Sequence, residues 1–299
     1  MNFLQTELPG IDAIKNLYQP FEVTVDVLRL DLVHPIVSGN KWYKLKEYIK
    51  EARQQNKKTI LTFGGAFSNH IIATAAACKD AGLETIGVIR GEQVHNLSHT
   101  LKDAKAAGMN LFFTSREEYK NKIIPQQVWQ QFAQNETYII NEGGYGIKGK
   151  VGAQFILEES TAGYNYIIAA IGTGTTLAGL VGAARQSQKV MGISVLKNHQ
   201  NHSGEINALL PRELHNQFEI FNQFHFGGYA KFNNDLIDFM NEFYHQTGIP
   251  TDFVYTGKLF FALEQLIKSG IFPKQSNILA IHSGGLQGNR SLPKGTLIF

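Results

Sequence analysis

From Val23 to Ile281 the chain repeats one pattern: a short apolar run rich in β-branched residues, a turn carrying glycine or hydroxyl side chains, then a stretch with helical spacing. Strand signals fall at 23–28, 59–63, 85–89, 110–113, 137–140, 166–170, 190–195 and 277–281. Helical spacing falls at 45–52, 69–81, 98–107, 125–133, 149–159, 176–184, 233–245 and 258–268. This alternation predicts parallel sheets covered by helices on both faces, because consecutive parallel strands need a crossover. The pattern pauses at the Gly-rich run Glu142 to Gly146 and then restarts. Two α/β units with a cleft between them follow from that restart, with ligands beyond the carboxyl ends of the strands. The segment 197–226 reads as polar and irregular.

Composition closes off other classes. At 299 residues, 43% hydrophobic and 18% charged, the chain is neither a disordered tail nor a charged scaffold. Its formal net charge of +3, from 28 basic against 25 acidic residues, is too small and too scattered for a nucleic-acid surface. The lone Cys78 ends the small-residue run Ala73 to Cys78, so no disulfide framework is available, and it reads as a small core residue in a reducing compartment. His199 and His202 form an H-x-x-H without two further evident ligands, which reads as a polar surface loop, and no metal is expected. Residues 1–8 contain no basic stretch followed by an apolar one, and no later stretch stays apolar for a bilayer's thickness. A soluble cytoplasmic protein with no membrane partner is the expectation.

Several strand-to-helix loops could carry chemistry. Ile167 to Thr176 is a buried strand running through Gly172-Thr173-Gly174-Thr175 into a helix, so free amides and the helix's positive end would meet an anion. No lysine follows, and Leu177 stands where a dinucleotide loop needs its third glycine; the turn alone serves packing as well as phosphate. Phe63-Gly64-Gly65 leads to Ser68-Asn69-His70, where Ser68 or Asn69 reads equally as a helix cap. Ser38-Gly39-Asn40-Lys41-Trp42-Tyr43-Lys44 forms a loop before the first helix, in which Trp42 and Tyr43 could exclude water and favour a neutral Lys41 amine. Asp252 to Lys258 and His282-Ser283-Gly284-Gly285 complete a set that suggests one shared mouth.

Together, Ser38-Gly39-Asn40-Lys41 with Lys44-Leu45, Phe63-Gly64-Gly65 with Ser68-Asn69-His70, and Val254-Tyr255-Thr256-Gly257-Lys258 resemble a known family. It is that of the pyridoxal-phosphate enzymes of tryptophan-synthase-β type, in the 1-aminocyclopropane-1-carboxylate deaminase and D-cysteine desulfhydrase branch. The resemblance runs from about Val27 to Gly285. It implies the fold type II architecture, with a large cofactor-binding domain from 1–43 and 147–299, a small α/β domain at 44–146, the cofactor in the cleft, and a homodimer. By resemblance, Lys41 matches the lysine that forms the Schiff base with pyridoxal 5'-phosphate, Asn69 the partner of its ring oxygen, and Gly172, Thr173, Gly174, Thr175 and Thr176 the phosphate cradle. Ser68 matches the hydroxyl beside the substrate carboxylate, Tyr255 an active-site tyrosine, and Tyr229 the second one. His70 belongs to the same substrate-facing run.

The resemblance also bears on the reaction. The ring-opening deaminases carry Glu directly after the active-site tyrosine, whereas this chain carries Thr256. Ser283, matching the Ser or Thr of eliminating relatives, would leave the pyridine nitrogen neutral and the electron sink weaker. His70 also matches the desulfhydrase pattern, where deaminases have Gln. The reading is a lyase acting on a small amino acid, D-cysteine going to pyruvate, ammonia and sulfide. The alternatives are 1-aminocyclopropane-1-carboxylate deaminase, a catalytically weak pyridoxal-phosphate-binding protein, and a nucleotide-binding protein using the Gly172 loop. Leu30 and Trp42 depart from the family pattern and would reshape the pocket.

Overall fold

A computed structural model describes residues 9–92, 95–199 and 201–299; the amino-terminal segment 1–8, read above as lacking a leader, lies outside them. In chain order the elements are β1 (Ile11–Ala13), β2 (Thr24–Arg29), α1 (Asn40–Gln54), β3 (Thr59–Gly64), α2 (Asn69–Ala81), β4 (Glu84–Arg90), α3 (His99–Ala106) and β5 (Met109–Thr114). There follow α4 (Arg116–Lys120), α5 (Gln126–Gln131), β6 (Thr137–Ile140), α6 (Ile147–Gln154), β7 (Tyr166–Ile171), α7 (Thr175–Ala183) and β8 (Lys189–Ser194). The last are α8 (His202–Asn207), β9 (Phe218–Phe221), α9 (Asn234–Thr247), α10 (Thr256–Lys268) and β10 (Asn277–His282).

The strands form two sheets. One runs β1-β2-β10-β7-β8-β9, parallel except for β1, and the other β5-β4-β3-β6, parallel throughout. The central strands are continuous apolar runs because helices cover both faces: β3 is buried at every position, and β7 and β10 at all but the first. Helix α2 is buried from His70 through Cys78, and its alanines let it pack on every side. One apolar cluster runs from Ile167, Leu279 and Ile281, through Leu45 and Ile49 of α1 and Ala73 and Ala77 of α2, to Ile60 and Ile140. Each fully buried Leu or Ile there contributes about 1.5–3 kcal/mol. The cluster therefore joins the two sheets into one core. None of the helices among the described residues is long and apolar enough to cross a membrane.

Three sequence expectations need correction. Helix α1 begins at Asn40, so Lys41 sits in its first turn and not in a loop; Trp42, Tyr43 and Lys44 are all buried, which leaves that turn no polar face to mark its period. Helix α6 ends at Gln154 where 159 was predicted, because Ile156 and Leu157 pack on the core from the turn beyond it and mimic continued helical spacing. The segment 197–226 contains α8 and the edge strand β9, whose six and four residues are too short to display a period.

Candidate active site

The Lys41 turn is held by backbone against backbone. Gly39 has φ +70°, and a side-chain carbon on it would lie 1.9 Å from the Ser283 carbonyl oxygen, so only glycine fits. Asn40 N donates to that same Ser283 oxygen (3.3 Å), and Gly39 N donates to Leu30 O (2.8 Å). The buried Asn40 side chain then joins two loops: Nδ2 donates to Thr176 Oγ1 (2.7 Å), while Oδ1 accepts from Lys41 Nζ (2.9 Å). Burial lowers the Lys41 pKa to about 8, against a smaller opposing pull from Asp252. Trp42 and Tyr43 turn into the core, with ring centroids 5.0 Å apart, and pack beneath the turn.

Two more bases stand beside this amine. Lys44 is buried and donates to Gly143 O (2.9 Å); burial and then the charge of Lys41 push its pKa well down. His70 Nε2 lies 2.9 Å from Thr62 Oγ1, whose single proton is committed to Ile140 O (2.9 Å). His70 therefore donates through Nε2, and its buried Nδ1 is an acceptor with no hydrogen-bond partner. Burial, then Lys41 and Lys44, hold its pKa well below the usual value. An anion bound among these groups would favour their protonated forms and raise these pKa values.

The Gly172–Thr176 loop is adjacent. A side chain on Gly143 would stand 2.8 Å from Thr173 Cγ2, so the loops leaving β6 and β7 touch. Thr173 Oγ1 and Thr175 Oγ1 lie 3.2 Å apart at the start of α7, whose first amides have no intrahelical partner. The β10 loop closes the circle, with the Asn69 amide and the Asp252 carboxylate both packed against Gly285. Ser68 stands at the N-cap of α2, yet its hydroxyl makes no capping hydrogen bond. The capping reading fails, and the hydroxyl is free for other use.

Asp252 organises the opposite wall. Its Oδ2 accepts from Val254 N and Tyr255 N, both at 3.0 Å, and its Oδ1 from Thr256 N (2.9 Å) and Thr256 Oγ1 (2.8 Å). Tyr255 is thereby fixed at the N-terminus of α10 with its ring against Gly172. Its ring centroid is 6.1 Å from that of Tyr229, the two rings meeting edge to face. Burial, then Tyr229 and Asp252, raise the Tyr255 pKa well above its ordinary value, so its hydroxyl keeps its proton at neutral pH.

Beneath the β10 loop the register pairs His282 with Arg29. The Asp31 carboxylate takes a bidentate Arg29 contact (2.9 and 2.7 Å) and lies 3.1 Å from His282 Nδ1, while His282 Nε2 lies 2.7 Å from Pro250 O. This buried network ties the Ser283 loop to the Asp252 loop. Elsewhere, His202 is buried and not on a surface loop, with Nε2 2.8 Å from Ser194 Oγ, and His199 Nε2 lies 2.8 Å from Glu205 Oε2. These three are the one grouping of metal-ligating side chains among the described residues, and Ile206 beside them packs on Gly174. Burial pushes the Cys78 thiol up, which agrees with an inert core residue.

The pyridoxal-phosphate dependent enzyme family matches residues 16–284. The chain belongs to this family. It is 28% identical over 292 residues to a bifunctional D-cysteine desulfhydrase/1-aminocyclopropane-1-carboxylate deaminase of Arabidopsis thaliana, covering 88% of this chain and 72% of that one. It is 26% identical to a D-cysteine desulfhydrase of Salmonella typhi, over 86% of each chain. A crystal structure of a 1-aminocyclopropane-1-carboxylate deaminase homologue superposes with a TM-score of 0.82 at 26% identity, covering 95% of this chain and 93% of that one. The protein is thus a pyridoxal-phosphate-dependent lyase of fold type II.

The residues present fit that cofactor. The Lys41 amine is partly neutral at physiological pH, the state that condenses with an aldehyde. Asn69 Oδ1 is buried without a hydrogen-bond partner, beside a Gly285 that leaves no room for a side chain. Lys44 and the start of α7 offer amine and amide donors to a phosphate. Sequence reasoning gave no role to Asn40, Lys44, Asp252 or Lys258. Asn40 and Lys44 fall within the motifs that carried the resemblance, but a buried lysine is indistinguishable in sequence from a solvated one.

Proposed function

We propose that the chain is a D-cysteine desulfhydrase, catalysing α,β-elimination of D-cysteine with water to pyruvate, ammonia and hydrogen sulfide. The observation that carries this reading is the state of Thr256. Its hydroxyl is sealed in the Asp252 turn, donating to Oδ1 at 2.8 Å and accepting from Asp252 N at 2.7 Å, in a fully buried position. Position 256 thus offers the cofactor ring no carboxylate. That leaves the hydroxyl of Ser283 as the ring's partner, which suits expulsion of a good leaving group better than carbon–carbon cleavage.

Pyridoxal phosphate, when bound, supplies an aldehyde and an electron-withdrawing ring. Lys41 would hold it, and its amine, with a pKa of about 8, suits a base that would take the substrate's α-proton at neutral pH. Asn69 would serve the ring oxygen, while Lys44 and Gly172 to Thr176 would hold the phosphate. Ser68, with its hydroxyl free of capping, binds the substrate carboxylate, and His70 stiffens that run from below through Thr62. Tyr255, with its ring edge to face with that of Tyr229, would orient the thiol side of the substrate. The Arabidopsis relative bears both activities in its name, which supports ring opening of 1-aminocyclopropane-1-carboxylate as the second reading.

The test offers purified holoprotein D-cysteine, L-cysteine, D-serine and 1-aminocyclopropane-1-carboxylate and follows sulfide and keto acids. The account expects sulfide and pyruvate in equal amounts from D-cysteine. Keto acid from the cyclopropane substrate with no sulfide from D-cysteine overturns it.

A further inference from the structure

The reaction above makes no use of Lys258, yet its side chain is fully buried in the first turn of α10 and donates to two backbone carbonyls, His225 O at 2.9 Å and Gly228 O at 2.7 Å. Core filling does not call for an amine, since an apolar side chain of similar length packs without the cost of burying a charge. The segment it grips is bent: Phe226 (φ 52°), Gly227 (93°), Gly228 (118°) and Ala230 (54°) all have positive φ around Tyr229. Side-chain-bearing residues avoid that region unless the surroundings impose it. Tyr229 itself is 40% exposed, so burial of its ring does not fix its place. Its partner Tyr255 begins the helix that carries Lys258. One turn of α10 therefore holds one tyrosine and the anchor of the other.

We propose that Lys258 is a positioning residue, whose amine clamps the 225–228 backbone and so sets the Tyr229 ring against that of Tyr255. The inference rests on the reading of these tyrosines as the pair that serves the leaving group. Burial lowers the amine's pKa to about 8, but the two carbonyls accept from it in either protonation state, so the clamp holds across the neutral range.

A double-mutant cycle on the holoenzyme tests this, using whichever amino acid the wild type turns over and comparing Tyr229→Phe, Lys258→Met and the two combined. Each single variant is expected to lower kcat by about tenfold with a smaller change in KM, and both to keep the cofactor's visible band. In the Tyr229→Phe background, Lys258→Met should then cost less than about twofold more. Effects that multiply, or a Tyr229→Phe enzyme as fast as wild type, overturn the proposal. If Lys258→Met fails to hold cofactor, the same cycle with Lys258→Gln, which keeps two N–H donors on a shorter arm, decides by the same criterion. A wild type that turns over none of the amino acids defeats the functional reading instead, so the two failures are separable.

Discussion

Lys41 and Tyr229 both feel the charge of Asp252, but they are held by different means. The Lys41 turn is backbone pressed on backbone, with Gly39 against Ser283 and Asn40 bridging to Thr176, and it tolerates almost no displacement. Tyr229 hangs from a bent, partly exposed loop that one buried side chain grips. The Lys41 side is therefore rigid by construction, which suits the cofactor attachment proposed for it. The tyrosine side is less tightly enclosed, which suits the substrate passage proposed there.

The comparison is broken most severely at its rigid end. Lys41→Ala should lower kcat by about 10³-fold or more and abolish the visible band, while thermal denaturation shows the fold intact. Ser68→Ala comes next: kcat/KM measured with the substrate should fall by about 10²-fold. Its unfolding free energy should change by less than about 0.5 kcal/mol, because the hydroxyl caps nothing; a functioning N-cap costs about 1 kcal/mol on removal. Gly39→Ala sharpens the contrast between the walls. At φ +70° with the Ser283 oxygen in the way, it should lose about 2 kcal/mol or more in chemical denaturation together with cofactor affinity.

The smallest effect is on pH. Since only the neutral amine condenses with an aldehyde, cofactor uptake by apoprotein should climb by about tenfold per pH unit and flatten above about 8. A solvated lysine would flatten only near ~10.4. The sign for stability follows. Above about 8 the folded apoprotein has released a proton that the unfolded chain keeps, so its stability should rise with pH until the unfolded lysine titrates.

What could be read in advance divides along the same line. The strands β3, β7 and β10 were legible because a buried parallel strand must be a continuous apolar run, and the loops at their ends followed. Asn40 to Lys44 were misread as a loop because a helical turn buried on all sides carries no amphipathic mark. Lys41, Ser68 and Asn69 were legible as members of motifs. Asp252 and Lys258 were not, since their importance lies in hydrogen bonds to backbone groups that are distant in sequence or hidden in a turn. His202 shows the same limit, for its buried ring meets Ser194, a strand residue that sequence spacing does not relate to it.

Lys41, Lys44 and Lys258 all carry amines whose pKa burial has lowered, so each is a chemically reasonable attachment point. Borohydride reduction of the holoprotein followed by peptide mapping distinguishes them in one measurement. The account predicts a single phosphopyridoxyl group on Lys41; the label on Lys44, on Lys258, or on no lysine contradicts it.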